Sequence, residues 1–453
     1  MTMKKIISLI LIFIFAFSLF SCSCNDDGDE NGQITINRFD YDMSEYITLG
    51  EYKGLTVTVP ENYIANIISS AQVKGAEKYV LRRGDSVYLS IEAYEVIESE
   101  ADGETVFEVG DEITEISNER YLLEDLGAGS FSQSLENLLI GGSIGNQIDD
   151  MHLYLSDSFH IAEYAGERIC ATIKIVDFIA VDGLICKVDF DGFYLDEDGE
   201  IKLDGEGNPD SFDSKEGSYF FIGSSLSLES FENELIGMKI NEEKSFDLIM
   251  PEDYKTEILR GKSVRFVVTL KELYTPAEYT DELVSALYDF DSTEDFEEAT
   301  LRKYILNQAL TAVDESSTVI SYPELEYQAQ HDALYAIEDD IFDKYGWSIE
   351  EYVRNSYNLS VEEYLEEALK AEMIYYAIFK NEGFTITQAH YTEKRANLIA
   401  YYQNYFRENQ QLSTTDARNK AIEYINALGD VYIYEELLHE AVESLILEKT
   451  TVQ

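Results

Sequence analysis

The pattern of hydrophobic and polar positions changes character near residue 277. Before that point, short apolar runs alternate with glycine and aspartate turns, which predicts β-strands. After it, apolar residues recur at helical spacing, which predicts an array of helices. Ser348 and Ser360 are each followed three residues later by glutamate, the pattern of a capping box at a helix start. Glycines predicted to end helices are Gly346, Gly383 and Gly429.

The β-rich half contains an internal repeat. Residues 127–145 read GAGSFSQSLENLLIGGSIG, and residues 223–240 read GSSLSLESFENELIGMKI. Both begin with glycine, pass through a Glu-Asn pair and reach Leu-Ile-Gly, and they lie roughly one hundred residues apart. A spacing of this length indicates two copies of one domain and is too long for a solenoid. We expect each copy to be a small antiparallel sheet with one short helix lying across it.

The N-terminus has the pattern of an export signal. Two lysines precede an apolar run over residues 6–20, which is too short for a comfortable transmembrane helix. The run ends in Leu19-Phe20-Ser21-Cys22, and a leucine three residues before a cysteine resembles the lipobox of bacterial lipoproteins. That resemblance implies a signal peptide over residues 1–21 and a lipid attached to Cys22.

Two alternatives to a lipid on Cys22 stay open. One is an ordinary secretory signal in which the cysteine is incidental. The other is lipid on Cys24, a poorer candidate because Ser21 stands where leucine is needed. Residues 22–45 then form an acidic tether. We therefore expect a protein of the bacterial cell membrane, lipid-anchored on the extracytoplasmic face, with no later segment long and apolar enough to span the bilayer.

The charge of the chain limits its partners. The formal net charge is −56, from 89 acidic and 33 basic residues. So few cations cannot neutralise phosphates, which argues against nucleic acid, and the protein body should not lie on an anionic lipid surface. The only membrane contact expected is the lipid anchor. An acidic surface favours basic or unfolded polypeptide partners, although simple solubility also explains it.

The sequence contains few residues in patterns that bind metals or form catalytic nucleophiles. The five histidines form no metal-binding pair at helical spacing, and no Ser-His-Asp signature or glycine-rich phosphate loop is present, so we expect neither metal nor cofactor. Asp196 and Asp198 suggest calcium, but the stretch lacks the terminal glutamate of a calcium loop, and a solvated hairpin is the better interpretation. Cys170 and Cys186 lie in apolar strand-like runs and are either disulfide-bonded or buried thiols.

Several short motifs follow one another in the second copy. They are Val188-Asp189-Phe190-Asp191-Gly192, Ser211-Phe212-Asp213-Ser214, Phe220-Phe221-Ile222-Gly223, Phe231-Glu232 with Gly237-Met238, and Pro251-Glu252-Asp253-Tyr254. In this order and spacing they resemble the FKBP-type prolyl isomerase domain, in the version found inside trigger factor. Further on, Leu259, Gly261 and Phe266 fit the closing strand of that domain.

The resemblance implies a site for rotating an X–Pro bond. Phe231 would form the floor beneath the proline ring, the Leu228 N–H would hold the substrate carbonyl, and Asp213 would act on the twisting amide or position Tyr254. The implied site residues are Phe190, Phe212, Asp213, Phe220, Leu228, Phe231, Tyr254 and Phe266. The alternative is that these aromatic residues are only the core of a small barrel.

The second copy departs from the family pattern in two places. Ser227 and Ser230 stand where the family often has an apolar residue and a glycine. The stretch between Gly192 and Phe212 is also longer than usual and acidic. These departures support an alternative in which the fold is kept for client binding and the chemistry is lost.

The first copy has lost the pocket that the resemblance implies, because the motif residues that form it are replaced. The residues at the corresponding positions are Ile91, Ala93, Leu135, Ser156, Phe159 and Ala171. We therefore interpret this copy as a structural or client-binding module.

The rest of the chain also resembles trigger factor. Residues 279–284 (YTDELV), 290–295 (FDSTED) and 321–325 (SYPEL) are similar to its helical chaperone domain, and residues 49–55 to its opening. No ribosome-binding signature is found, and an exported protein would not meet ribosomes. The tyrosines that look exposed in the helical region are Tyr375, Tyr376, Tyr391, Tyr401, Tyr402 and Tyr405. They would either hold unfolded chains or pack between helices.

These observations predict an α+β protein, with two FKBP-like antiparallel β-sheet domains followed by an all-α domain like the C-terminal chaperone domain of trigger factor. The predicted segments after the tether are an N-terminal strand and helix segment (46–80), a degenerate FKBP-like domain (81–181), an FKBP-type prolyl isomerase domain (182–275) and a helical chaperone domain (276–453). The predicted function is a surface-anchored peptidyl-prolyl cis-trans isomerase and chaperone for unfolded or nascent exported polypeptides with X-Pro bonds. The alternatives are an inactive holdase with the same fold and, with nothing specific in its favour, a surface adhesin or solute-binding lipoprotein.

Overall fold

The fold is known from a computed structural model that describes residues 34, 36, 38–101, 104–224 and 226–453. The predicted signal peptide over 1–21, the lipid site Cys22 and its alternative Cys24 lie outside these residues, as does most of the tether. None of the described helices is long and apolar enough to cross a bilayer.

The described chain contains short strands, two groups of longer strands and a helical C-terminal part. The strands are β1 (Ile47–Thr48), β2 (Thr56–Val57), β3 (Glu77–Lys78), β4 (Val87–Ala101), β5 (Glu104–Glu112), β6 (Asn118–Leu123), β7 (Gln147–Tyr154), β8 (Arg168–Phe178), β9 (Ile185–Tyr194), β10 (Ser211–Phe221), β11 (Glu243–Ile249), β12 (Ser263–Thr275), β13 (Thr318–Val319) and β14 (Thr451–Val452). The α-helices are α1 (Tyr63–Lys74), α2 (Gln133–Leu139), α3 (Glu229–Leu235), α4 (Asp281–Tyr288), α5 (Thr293–Ser316), α6 (Glu324–Tyr335), α7 (Glu338–Tyr345), α8 (Ile349–Tyr357), α9 (Val361–Asn381), α10 (Gln388–Gln410) and α11 (Thr414–Lys449).

The chain divides into two compact units. The sheet unit is Glu61–Glu297, and the helical unit combines the described residues up to Pro60 with Glu298–Gln453. The predicted α+β class is confirmed, because two antiparallel sheets precede the main run of helices. The boundaries predicted near residues 81, 182 and 276 remain predictions.

Each copy of the repeat contributes four or five strands to a five-stranded antiparallel sheet. The first sheet has the order β5-β4-β8-β7, with β6 also paired to β4. The second has the order β10-β9-β12-β11, with β3 also paired to β12. In each copy one short helix, α2 or α3, buries three of its residues, two of them in the hydrophobic core. Gly141 and Gly237 follow these helices with φ of 83° and 86°, a conformation that favours glycine, so the repeated Leu-Ile-Gly ends both helices.

One hydrophobic core runs through the sheet unit and includes residues of both copies. Tyr79, just after β3, meets Phe178 at the end of β8 edge to face, with ring centroids 5.3 Å apart. The carboxylate of Asp177 accepts a hydrogen bond from the Ile240 N–H at 3.2 Å, which links the end of the first copy to the second. The two copies therefore share buried apolar surface.

The helical unit is built around α9, which buries twelve of its 21 side chains. Capping boxes begin α8 at Ser348 and α9 at Ser360, as the sequence predicts. Gly346 ends α7 in the left-handed conformation, and Gly429 interrupts α11 with a φ of 81°. An N-terminal segment completes this unit, because β1 pairs with β13 and β2 pairs with β14.

Candidate functional site

Six phenylalanines of the second copy meet around Phe231. The Phe231 ring stacks on Phe220, with centroids 4.5 Å apart, and packs edge to face against Phe266 at 5.0 Å. Phe246 and Phe190 lie 5.4 Å and 6.1 Å from the same ring. Phe212 joins through Phe266 at 5.6 Å. These separations lie in the range that aromatic pairs prefer. We call these six residues the phenylalanine cluster.

Strand alternation explains how the cluster assembles. Residues two apart in a strand face the same side of the sheet, so Phe190 and Gly192 of β9 face one side. Phe266 lies directly opposite Gly192, and Phe246 lies directly opposite Phe266. The side that these three neighbouring strands share is therefore aromatic, and α3 places Phe231 against it.

Gly192 leaves room for the ring of Phe212. The β9–β10 register shifts between Ser211 and Asp213, which places Phe212 on a β-bulge. A Cβ atom on residue 192 would come within 2.5 Å of the Phe212 ring. The glycine of the Phe-x-Gly motif is therefore required by the ring that crosses it.

Helix α3 presents both Phe231 and a buried carboxylate. The N–H groups of Phe231 and Glu232 each donate to the carbonyl of Leu228 at 2.9 Å, which starts the helix. The Leu228 side chain is half-buried, and its N–H has no hydrogen-bond acceptor among the described residues. That N–H is the donor predicted to hold a substrate carbonyl.

Glu232 fixes the loop that precedes α3. Its carboxylate accepts hydrogen bonds from the Gly223 N–H at 2.9 Å, the Ser227 N–H at 3.3 Å and the Ser227 hydroxyl at 2.6 Å. Ser227 departs from the family pattern, and its hydroxyl donates one of the hydrogen bonds that hold this loop. Sequence reasoning missed this role, although a glutamate repeated in both copies is a signal for it.

The polar members of the predicted site lie outside the phenylalanine cluster. Asp213 sits beside the bulge with its side chain 39% exposed, and it forms an ion pair with Lys215 at 3.5 Å. Tyr254 is half-buried against the common core, and its carbonyl accepts a hydrogen bond from Arg260 Nε at 2.6 Å. The structure thus brings the five predicted phenylalanines together, and within the described part of the chain Asp213 and Tyr254 form no hydrogen bond with each other.

Two aromatic residues near the site were missed from the sequence. Phe246 is a full member of the phenylalanine cluster, and Tyr194 lies 5.3 Å from Phe212. The alternating run Ser245-Phe246-Asp247-Leu248 could have identified Phe246 as an inward-facing strand residue.

Metal and thiol chemistry is limited in the described chain. No group of three or more His, Cys, Asp or Glu side chains in those residues is placed to hold a metal ion. Cys170 and Cys186 are both buried free thiols. Burial raises the pKa of Cys186 to about 12, so that thiol stays neutral.

The first copy fills the corresponding space with its own side chains. Leu135 on α2, Ile91 and Ala93 on β4 and Ala171 on β8 are buried where the second copy has aromatic residues or glycine. Glu136 takes the place of Glu232 and accepts the N–H groups of Gly127, Gly129 and Phe131 at 2.9, 2.6 and 2.8 Å. The fully buried Phe131 ring packs edge to face on Phe159 at 5.3 Å.

Comparison with known proteins gives relatives by sequence. No family model matches the chain. The trigger factor of Carboxydothermus hydrogenoformans is 26% identical over 271 residues, which cover 55% of this chain and 60% of that protein. The trigger factor of Caldicellulosiruptor saccharolyticus is 28% identical over 229 residues, which cover 45% of this chain and 49% of that protein. The matches therefore span less than two thirds of these relatives.

Solved structures give weaker matches. A trigger factor chaperone, studied for promiscuous substrate recognition, is 15% identical, with a TM-score of 0.20 and coverage of 60% of this chain and 62% of that one. The three FKBP domains of wheat FKBP73 are 14% identical, with a TM-score of 0.16 and coverage of 44% and 90%. The relationship rests on the sequence matches: over about half of its length, the chain is similar to trigger factors.

Proposed function

We propose that the chain is a peptidyl-prolyl cis-trans isomerase and chaperone that assists the folding of exported proteins. The isomerase activity is assigned to the second copy. A lipid on Cys22 would hold the protein at the extracytoplasmic face of the bacterial cell membrane. Its partners would be unfolded or nascent exported polypeptides with X-Pro bonds, without nucleic acid or ribosomes.

The observation that carries the proposal is the phenylalanine cluster around Phe231. Rotation about a peptide bond faces a barrier of about 18–20 kcal/mol because amide resonance must be broken. Twisting the bond localises the nitrogen lone pair and weakens the polarity of the carbonyl. A water-poor aromatic surface therefore favours the twisted amide over the planar one. Neither a nucleophile nor a metal is needed for this chemistry.

Polar groups beside the cluster would orient the substrate. The Leu228 N–H, with no acceptor in the described part of the chain, would donate to the substrate carbonyl. Asp213 lies next to Phe212, and its exposed carboxylate would interact with the twisting amide after exchanging its contact with Lys215. Tyr254 would form part of the wall of the substrate pocket.

The helical unit supports the chaperone part of the proposal. Phe342 of α7 and Tyr401 of α10 keep 62% and 64% of their surface exposed, and Tyr405 is exposed one turn after Tyr401. Exposed aromatic rings bind unfolded chains with little sequence preference. Tyr375 and Tyr376 are buried in α9, so for these two tyrosines the alternative of packing between helices holds.

A holdase without isomerase activity is the second candidate. Asp213 is already paired with Lys215, and the Ser227 hydroxyl is committed to Glu232. In that case the phenylalanine cluster would serve as a binding surface or as core alone.

Refolding of a proline-limited substrate separates the two candidates. The purified chain without residues 1–22 should accelerate the slow phase, and the Asp213→Ala/Phe231→Ala double variant should lose most of that acceleration. Loss of the Phe231 ring costs about 3–5 kcal/mol if the site cannot collapse, so circular dichroism must show that the variant is folded. Leu135→Ala is the matched control in the first copy and should leave the rate unchanged. Equal rates in the wild type and the folded double variant would favour the holdase.

A further inference from the structure

The first copy exposes an aromatic and aliphatic surface on the outer face of its sheet. Glu98 lies directly opposite Phe107, Val96 opposite Val109, and Tyr154 opposite Arg168. Opposite residues of an antiparallel pair share a face of the sheet. Leu153 and Ile169, the sequence neighbours of Tyr154 and Arg168, are buried toward the core.

Arg168 holds this surface in a defined arrangement. Its guanidinium carbon lies 3.6 Å from the centre of the Phe107 ring and 5.7 Å from that of Tyr154. The Arg168 Nη1 atom lies 3.9 Å from Oε1 of Glu98, which forms an ion pair. The two rings are therefore positioned before any partner binds. Val109 and Tyr154 nevertheless remain 54% and 61% exposed. We call Val96, Phe107, Val109 and Tyr154 the β5 patch.

The β5 patch continues to an open sheet edge. Among the described strands, β5 pairs only with β4, so its other side offers backbone hydrogen-bonding groups to a further strand. In β5, Glu104 and Glu108 face the opposite side of the sheet from Phe107 and Val109, because successive strand residues alternate between the two faces. A second copy of β5 would place glutamates against glutamates, which disfavours self-association.

We infer that an extended segment of an unfolded polypeptide, in which basic and apolar residues alternate, docks along the free edge of β5 and packs its apolar side chains on the β5 patch. The charge of β5 selects the basic residues, and Phe107 and Val109 receive the apolar ones. This inference rests on the proposed chaperone function and assigns one class of client segment to the first copy. It requires no participation of the phenylalanine cluster.

Binding of two labelled synthetic peptides tests the inference with the full chain lacking residues 1–22. One ten-residue peptide alternates lysine and valine, and the other has glutamate in place of lysine; neither contains proline. Fluorescence anisotropy should detect binding of the lysine peptide only, with affinity that falls as salt is added. Phe107→Ser/Val109→Ser should raise its Kd at least tenfold. Glu104→Lys/Glu108→Lys should weaken the lysine peptide and allow the glutamate peptide to bind.

Ile249→Ser is the matched control, because Ile249 is an exposed apolar residue at the end of the edge strand β11 in the other copy. This variant should bind like the wild type. Absence of binding to the wild type, unchanged Kd in both β5 variants, or equal weakening by Ile249→Ser would each overturn the inference. The refolding assay is run on the same variants and should be unaffected. Loss of peptide binding in the β5 variants without isomerase activity in any variant would retain this inference and refute the isomerase proposal.

Discussion

Phe131 and Ser227 hold the same place in the two repeats, since each donates its backbone N–H to the carboxylate of the glutamate five residues later. In the first copy the residue at this place is a fully buried aromatic side chain. In the second copy it is a small hydroxyl that donates to Glu232. The first copy thus places an aromatic ring, that of Phe131, where the second copy has only the small side chain of Ser227.

Replacing Ser227 with the phenylalanine of the first copy should abolish most of the isomerase activity of the second copy. Ser227→Phe keeps the backbone N–H for Glu232 and adds a ring beside the phenylalanine cluster, where it should compete with a substrate proline. We expect at least a tenfold loss of isomerase activity in the refolding assay, with the fold retained by circular dichroism. Ser227→Ala is the control, because it removes only the hydroxyl bond at a cost of about 0.5–1.5 kcal/mol and should keep most of the activity. Full activity in Ser227→Phe would place the substrate elsewhere.

Gly192→Ala should disturb the site through Phe212. The added Cβ would lie 2.5 Å from that ring, so the ring or strand must move, at a cost of about 1–3 kcal/mol. The prediction is lower stability in urea unfolding together with slower isomerisation. Gly205→Ala, in the connection between β9 and β10, has nothing within 4 Å of its new Cβ and should change neither quantity. Wild-type activity in Gly192→Ala would show that the position of Phe212 is unimportant.

The ion-pair network around Glu272 should make the sheet unit sensitive to acid. Hydrogen bonds from Lys78 and then Lys187 lower the pKa of Glu272 from 4.5 to about 2. The stability from this network is therefore complete above about pH 4.5 and is lost as the pH falls toward 2. Because the Glu272 side chain is 30% exposed, we expect the network to contribute about 1 kcal/mol or less to the free energy of unfolding.

Urea unfolding of wild type and Glu272→Gln at pH 7 and pH 3 measures this contribution. The variant should be less stable at pH 7, and the difference should shrink at pH 3. Glu257→Gln removes a surface ion pair with Arg260 and serves as the control, with little effect at either pH. A constant difference for Glu272→Gln would exclude the network as its cause.

Cys22→Ala should abolish lipid attachment, because Cys22 alone has leucine three residues before it and a small residue directly before it. Labelling with a fatty acid in a bacterial host, followed by membrane fractionation, tests this. Cys24→Ala is the control and should retain both the label and the membrane fraction. Persistent labelling of Cys22→Ala would assign the lipid to another residue.

The phenylalanine cluster could be predicted largely from the sequence because most of its residues lie in short motifs of fixed spacing. Phe246 lies between those motifs, so only strand alternation identifies it, and the register with Phe266 then brings it to the site. The role of Ser227 was not foreseen, since it depends on a carboxylate that folds back from α3. Capping boxes were predictable because their bonds are local.

The place of residues 38–60 could not be predicted in the same way. Strands β1 and β2 have two residues each and carry no periodic signal. Their partners, β13 and β14, lie hundreds of residues later in the chain, and Arg38 reaches Glu372 on α9 at 2.6 Å. Contacts between residues so far apart in sequence depend on the tertiary fold, whereas hydrophobic periodicity indicates only local secondary structure.

The discontinuity of the helical unit also constrains the order in which the molecule can form. Residues of β2 are synthesised long before those of their partner strand β14, because the two strands lie far apart in the chain. The sheet unit is contiguous in sequence and can complete its core in the interval. Buried residues such as Phe39 and Ile47 must wait, exposed, until the C-terminal helices arrive. A protein proposed to protect unfinished chains thus passes through a stage in which its own first segment needs protection.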